Sequence, residues 1–230
     1  MRQSKLYKEK VALIDKEKSY NPKDAMELLK KIIPNKFDES IEVHFNLGID
    51  PRHADQQLRG TFALPNGTGK SKKILAIVEG EQEKEANEAG ADFVGCDEYI
   101  EKIQGGWFDF DIIITSPSMM KKLGRLGKTL GSKGLMPNPK AGTVTQKIGE
   151  TIKEFKSGKF EYRNDKNGLL HIIIGKASFD SDALYENFEV FFDLLQKIKP
   201  SKAKGTYIKS IALCSTQSPS ILIEPMKVKW

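Results

Sequence analysis

The sequence predicts two α/β domains of different type, one inserted into the other. Before Pro65 and after Gly158 the predicted strands alternate apolar and polar residues, as in an antiparallel sheet with one exposed face. Between these points, short continuous apolar runs alternate with helical segments, as in a doubly wound parallel sheet buried on both faces. We therefore predict a discontinuous α+β domain of residues 1–66 and 159–230, interrupted by a parallel α/β domain of residues 67–158.

The chain begins with a basic segment, residues 1–20, for which two readings stay open. It is either a loosely docked helical arm or an arm that folds onto RNA. A helix follows, because Asn21 can cap it and Pro22 suits its first turn, and Pro34 ends it.

The outer domain is predicted to contain several alternating strands. Ser40–Ile49 and Gln57–Leu64 both alternate, which favours a long hairpin with Glu42 and His44 on its exposed face. After the inserted domain, a second hairpin turns at Asn164–Gly168. The remaining predicted elements are a helix capped by Ser181 or Asp182 and ended by Pro200, and strands at 206–214 and 221–228.

The inserted domain is predicted from buried runs closed by glycines. No Gly-x-Gly-x-x-Gly follows the first strand, which argues against a dinucleotide cofactor. The predicted elements are strands at 74–78, 91–95 and 110–115, and helices at 81–89, 97–104, 117–123 and 145–155.

Residues 112–149 contain no Asp or Glu, although the chain has 37 basic and 31 acidic residues. This segregation favours contact with a polyanion, and the alternative is a solvated basic loop. Its glycines predict sharp turns, and Pro137 and Pro139 predict a stiff extended arm. The basic residues of this predicted secondary surface are Lys121, Lys122, Arg125, Lys128, Lys133 and Lys140, and Lys147 follows them.

A second carboxylate-free stretch, residues 194–223, includes Lys204 and the hydroxyl-rich turn Ser215–Ser220. Lysines supply non-specific attraction to RNA, whereas hydroxyls and free backbone groups can read 2′-hydroxyls and base edges. The alternative for the turn is an ordinary hairpin loop.

Cys96 and Cys214 are far apart and lack a Cys-x-x-Cys or Cys/His neighbourhood. We therefore expect no metal, no cofactor and no disulfide framework, and a reducing compartment. No apolar run suits export or a membrane span, so we expect a cytoplasmic protein with no membrane partner.

Several long sequence motifs, spread over nearly the whole chain, carry a family resemblance. They include Gly134–Thr143 (Gly-Leu-Met-Pro-Asn-Pro-Lys-Ala-Gly-Thr), Phe37–His44, Gly106–Asp111 and Gly175–Phe179. The chain resembles the L-one family of large-subunit ribosomal proteins. The resemblance implies a discontinuous domain and an inserted Rossmann-like domain. It also implies a monomer in the ribosome without enzymatic activity. This monomer binds large-subunit ribosomal RNA in the mobile stalk, aids release of tRNA at the exit site and represses its own mRNA.

The resemblance also implies which residues contact RNA, and Lys204 joins them from the second carboxylate-free stretch. The family usually has Thr-Met-Gly where this chain has Thr216-Gln217-Ser218, which puts the contacts of that turn in question. The predicted hinge is Pro65, Gly67, Ser157 and Gly158. The predicted RNA-binding residues are Lys36, Phe37, Ser40, Glu42, Asp165, Lys166, Lys204, Thr216, Gln217 and Ser218.

Two rival functions remain at this stage. One is an enzyme that uses the Gly/Lys segment as an anion cradle for a nucleotide or phosphosugar. Gly127-Lys128-Thr129 resembles the end of a P-loop, but Lys122 stands where the loop needs its first glycine. The other is a regulatory RNA-binding protein that does not reside on ribosomes.

Overall fold

The computed structural model describes residues 5–15, 18–33 and 37–225. Its helices are α1 Lys5–Ala12, α2 Pro22–Ile32, α3 Glu81–Glu88, α4 Asp97–Gln104, α5 Met120–Leu123, α6 Gly127–Ser132, α7 Ile148–Lys156 and α8 Ser181–Lys197. Its strands are β1 Ser40–Leu47, β2 Arg59–Ala63, β3 Ile74–Ile77, β4 Phe93–Gly95, β5 Ile112–Thr115, β6 Lys159–Arg163, β7 Leu169–Lys176, β8 Ile208–Ser215 and β9 Ile221–Ile223. Short 3-10 turns lie at Ala54–Gln56, Gly124–Leu126 and Pro139–Ala141.

The chain divides into two units, and the predicted fold class is confirmed. The first unit takes residues up to Gly69 and from Tyr162 onward, and the second takes Lys70–Glu161. The first contains an antiparallel sheet in the order β7-β1-β8-β9, and the second contains a parallel sheet in the order β4-β3-β5.

The first unit is built around β1, which pairs with a strand on each side. Its apolar side chains, Ile41 to Leu47 at every second position, are buried, and its polar side chains point to the opposite face. Helix α8 packs on the buried face, where the Phe45 ring stacks on Phe188 with 6.2 Å between centroids. One strand therefore supplies both the core and an open polar surface.

The predicted hairpin between the first two strands is wrong. β1 pairs with β7 and β8, and β2 pairs with β6 in a separate two-stranded sheet. The predicted second hairpin is reduced to one bridge between Asn164 and Leu170. The alternation of a strand determines which face is buried, but it carries no information about the partner strand.

The ends of the helices agree in part with the sequence signals. Asn21 Oδ1 accepts a hydrogen bond from the Lys23 amide at 3.2 Å, so the predicted cap of α2 is confirmed. The N-cap position of α8 is held by Asp180, not by Ser181 or Asp182, and the Asp180 side chain makes no capping hydrogen bond. Pro34 and the end of the predicted last strand lie outside the described residues.

The parallel sheet of the second unit is covered on both faces. Leu75, Ile77 and Ile113 pack on one side with residues of α4, α5 and α6. Ile74 and Ile114 pack on the other with residues of α3 and α7. Side chains of successive residues point to opposite faces, so a continuous apolar run supplies both layers.

The predicted sharp turns in the basic segment are wrong at three glycines. Gly124, Gly127 and Gly131 lie in the helical segment from Met120 to Ser132, so the segment does not form the open glycine loop that the enzyme alternative needs. Positive φ occurs only later, at 72° for Gly134 and 63° for Gly142. The helix arises because Leu123, Leu126 and Leu130 recur at helical spacing and bury against the sheet.

The predicted extended arm Leu135–Lys140 is wrong in its second half. Leu135 and Met136 pack against the core, and Pro139–Ala141 forms a 3-10 turn. The Asn138 side chain caps this turn by accepting from the Lys140 amide at 2.8 Å. The segment is therefore anchored at both ends.

Among the helices of the described ranges, none combines the length and apolar character that crossing a bilayer requires.

The buried Asn187 side chain fixes the turn after β2 to helix α8. Its Oδ1 accepts from the Asn66 amide at 3.1 Å, and its Nδ2 donates to Gly67 O at 3.1 Å and to Ile174 O at 2.8 Å. These groups are shielded from water, since Asn187 is 0% exposed. One side chain therefore satisfies three backbone groups.

Replacing Asn187 with Leu should lower the free energy of unfolding by about 2–3 kcal/mol, because buried backbone groups lose their partners. Urea denaturation followed by circular dichroism measures this change. Asp193→Ala, an exposed change on the same helix, is the control and should stay within about 0.5 kcal/mol of wild type. Equal stability of Asn187→Leu and the control would contradict the role of Asn187.

Candidate nucleic-acid interface

The face of the antiparallel sheet opposite α8 carries polar side chains. On β1 they are Glu42, His44 and Asn46, at alternating positions. The register places His171 of β7 beside His44 and Cys214 of β8 beside Glu42. We call this set of residues the open sheet face. It combines carboxylate, imidazole, amide and thiol groups over several strands.

One end of the open sheet face joins two of the predicted RNA-binding segments. The Ser40 amide donates to Thr216 Oγ1, and the Thr216 amide donates to Ser40 O, each at 3.2 Å. Phe37 lies just before this contact and its side chain is 48% exposed. Thr216 and Gln217 are also exposed. The structure thus joins Ser40 to the turn Thr216–Ser218, and Phe37 and Glu42 lie close to Ser40 in sequence.

The other predicted residues lie at the opposite end of β1. Asp165 is committed to its own turn, because its Oδ1 accepts from the Asn167 amide at 2.8 Å and the Leu169 amide at 2.7 Å. Lys166 in the same turn is exposed. Lys204 lies in a shallow cleft beside Gly48, together with Lys202 and Lys209.

The predicted residues therefore form two groups and not one. Six residue steps of extended chain separate Ser40 from Asn46, which is roughly 20 Å. The polar stripe of β1 connects the groups. Lys36 lies outside the described residues.

Sequence reasoning missed His171 and Cys214 as members of this face. The Nδ1 atoms of His44 and His171 lie 2.7 Å apart and share a hydrogen bond, and His44 Nε2 lies 3.1 Å from Cys214 Sγ. Alternation counted from the buried Leu170 would have placed His171 outward, but only the register reveals that it touches His44.

The environment of the open sheet face shifts the pKa of two of these groups. Burial and the neighbouring His171 lower the pKa of His44 below its usual 6.5, against an opposing effect of Glu42. Burial, with a smaller contribution from Glu42, raises the pKa of Cys214 to about 11. At neutral pH both groups are therefore uncharged and act as hydrogen-bonding groups.

In the second unit, the predicted basic surface is only partly available to a polyanion. Lys122 Nζ lies 2.6 Å from Glu79 Oε1 and 3.0 Å from Asp97 Oδ1, which raises the pKa of Lys122 above its ordinary value. Lys133 Nζ lies 4.3 Å from the centre of the Phe108 ring. Lys121, Arg125, Lys128 and Lys140 are exposed, and no carboxylate of the described ranges pairs with them.

Glu79, Cys96 and Asp97 form a cluster whose potential ligand atoms lie within 4.8 Å of one another. The Lys122 ammonium is already paired with both carboxylates and supplies the positive charge there. Burial and a hydrogen bond to Glu79 raise the pKa of Cys96 to about 11, so its thiol is protonated at neutral pH. The two carboxylates and the Lys122 ammonium therefore form an ion-pair network centred on Lys122.

The lowered pKa of His44 predicts a pH dependence of stability. Because the native pKa is below the unfolded value near 6.5, the unfolded state binds more protons at mildly acidic pH. The stabilising contribution is complete above the unfolded pKa and is lost as pH falls through the native pKa. Chemical denaturation between pH 7.5 and pH 5 should show that wild type loses more stability than His44→Gln. Parallel curves for the two proteins would contradict this assignment.

Comparison with known protein families identifies the chain. The family model described as Ribosomal protein L1p/L10e family matches residues 29–219, which cover most of the sequence and parts of both units. Proteins of this family are structural components of the large ribosomal subunit in the cytoplasm and bind its RNA. The open sheet face and the exposed basic residues suit such a polyanionic partner. The chain therefore belongs to the Ribosomal protein L1p/L10e family and is an RNA-binding protein of the large ribosomal subunit.

Proposed function

We propose that the protein grips a folded segment of large-subunit ribosomal RNA with the open sheet face and the adjoining Phe37 and Thr216–Ser218. The contact between Ser40 and Thr216 carries this proposal, because it joins segments 176 residues apart into one exposed surface. The family resemblance predicts RNA contacts for both segments, and the hydroxyl groups of the turn Ser215–Ser220 favour the same role. Together the two segments form one continuous surface to which the RNA can bind.

The chemistry of this surface suits recognition of folded RNA. The side-chain amide of Gln217 can donate to or accept from 2′-hydroxyls and base edges. The Thr216 hydroxyl oxygen, which already accepts from the Ser40 amide, can accept one further hydrogen bond. The exposed Phe37 ring offers a stacking surface for a base or ribose. Lys166 and Lys204, at the far end of β1, supply phosphate contacts that orient the RNA along the strand.

The basic surface of the second unit is proposed as an additional electrostatic contact with tRNA or stalk RNA. Lys121, Arg125, Lys128 and Lys140 carry it, since these charges have no carboxylate partner within the described part of the chain. Through this contact the protein would assist release of deacylated tRNA. The crossings near Gly67 and Gly158, which both have positive φ, are proposed to act as the hinge that lets the second unit move.

We also propose that the first unit represses translation of the protein's own mRNA. The same surface would bind an mRNA segment that folds like the ribosomal site. Competition between the two RNAs would then couple synthesis of the protein to the supply of unoccupied ribosomal RNA.

Phe37→Ala and Thr216→Ala should each weaken binding to a large-subunit RNA fragment by about 1–3 kcal/mol. Phe37→Ala removes the stacking surface, and Thr216→Ala removes both an RNA contact and the oxygen that accepts from the Ser40 amide. Filter binding at several salt concentrations measures the affinity. The control is Val190→Ala, which removes an exposed apolar side chain from α8. It should bind like wild type. Unchanged affinity in both test variants would overturn the proposed site.

Within the basic surface, Lys128→Ala and Lys140→Ala should each reduce the slope of log affinity for tRNA against log salt by about 1. Lys122→Ala is a matched control, since this lysine is paired with Glu79 and Asp97, and it should leave the slope unchanged. An equal reduction for all three lysines would show that the ion pairs do not withhold Lys122 from RNA.

A further inference from the structure

Two buried charged residues contact the turn Thr216–Ser218. Glu39 is 0% exposed and Lys10 of helix α1 is 6% exposed. Charged side chains are seldom buried this deeply, because they lose their hydration. Their burial beside one exposed turn calls for an explanation.

Both charged groups bond to the backbone of Gln217. The Gln217 amide donates to Glu39 Oε2 at 3.0 Å, and Lys10 Nζ donates to Gln217 O at 3.3 Å. The Ser215 hydroxyl donates to the same carboxylate oxygen at 2.5 Å. A carboxylate and an ammonium therefore clamp one residue through its two backbone polar groups.

The turn also has its own internal bonds, which the clamp complements. The Ser215 amide donates to Ser218 Oγ at 2.8 Å, and the Ser218 amide donates to Ser215 O at 3.2 Å. These bonds close the turn but leave the orientation of Gln217 to Glu39 and Lys10. Glu39 directly precedes Ser40, so one short segment holds both Thr216 and Gln217.

Only one oxygen of the Glu39 carboxylate accepts the hydrogen bonds from the Gln217 amide and the Ser215 hydroxyl. Both donors meet Oε2, whereas the buried Oε1 has no hydrogen-bond partner within the described ranges. An uncharged glutamine whose carbonyl oxygen replaced Oε2 would keep both hydrogen bonds. The two hydrogen bonds and the negative charge can therefore be separated by experiment.

We propose that Glu39 is a positioning residue for RNA binding, which with Lys10 holds the Thr216–Ser218 turn in its RNA-binding conformation. This inference rests on the proposed RNA surface. A turn that is already ordered before binding loses little conformational entropy when the RNA binds, which favours binding. Neither Glu39 nor Lys10 needs to touch RNA in this role.

The test compares Glu39→Ala, Glu39→Gln and Lys10→Met in the full chain. Amide hydrogen exchange of Gln217 reports the clamp, and the salt dependence of binding to a large-subunit RNA fragment reports recognition. Glu39→Ala should speed exchange and weaken binding about tenfold without changing the salt slope, because no phosphate contact is lost. Glu39→Gln should restore both values. Lys10→Met should also speed exchange of the Gln217 amide and weaken RNA binding, with an unchanged salt slope.

Ser178→Ala is the control, since it removes a neighbouring hydrogen bond to Asp38 and leaves the turn intact. It should bind like wild type.

Wild-type exchange of Gln217 in Glu39→Ala would overturn the clamp. Wild-type affinity in that variant, with Thr216→Ala impaired, would overturn the positioning role alone. If Phe37→Ala and Thr216→Ala also bind normally, the proposed RNA surface fails and the positioning role fails with it. A slope lowered by Lys10→Met would make Lys10 a phosphate ligand and would also overturn the proposal.

Discussion

The first unit depends on the alternation of β1 between burial and exposure. Its apolar side chains, among them Phe45, pack against aromatic residues of α8, while Glu42 and His44 lie on the opposite face. Because β1 lies between β7 and β8, a shift of one residue would move every polar side chain into the core. Core stability and the proposed RNA contact therefore constrain the same eight residues.

The sheet of the second unit is buried in a different way. Its three parallel strands are buried on both faces, so the sheet itself offers no polar surface. The groups available to a partner lie on the helical segment after β5, where the leucines point inward and the lysines outward. This segment suits a charge-dependent contact, whereas the open sheet face offers varied hydrogen-bonding groups at fixed spacing.

Periodicity predicted the regular elements well, since burial in strands and helices follows directly from it. The predictions failed where distant partners decide the outcome. The hairpin from β1 to β2 was wrong because alternation does not specify a neighbour. The glycines at 124, 127 and 131 predict turns, but the neighbouring leucines bury a helical face, which outweighs the low helix propensity of glycine.

Much of the candidate site was predictable as a set of segments, but not as an arrangement. Sequence motifs indicated Phe37, Ser40 and Thr216, and the structure joins Ser40 to Thr216 by hydrogen bonds. Nothing in the sequence shows that Lys122 is neutralised by Glu79 and Asp97, which lie outside the carboxylate-free stretch. The sequence likewise does not predict the role of Glu39, because nothing in it indicates that this acidic residue is buried.

The contact between Ser40 and Thr216 has a consequence for biosynthesis. The second unit is one continuous segment, so it can fold on the ribosome as soon as that segment emerges. β1 is synthesised before the second unit, but its partner strands β7 and β8 follow that unit in the chain. The nascent polypeptide therefore forms its proposed RNA-binding surface only after β8 has been synthesised, and a product interrupted before β8 lacks that surface.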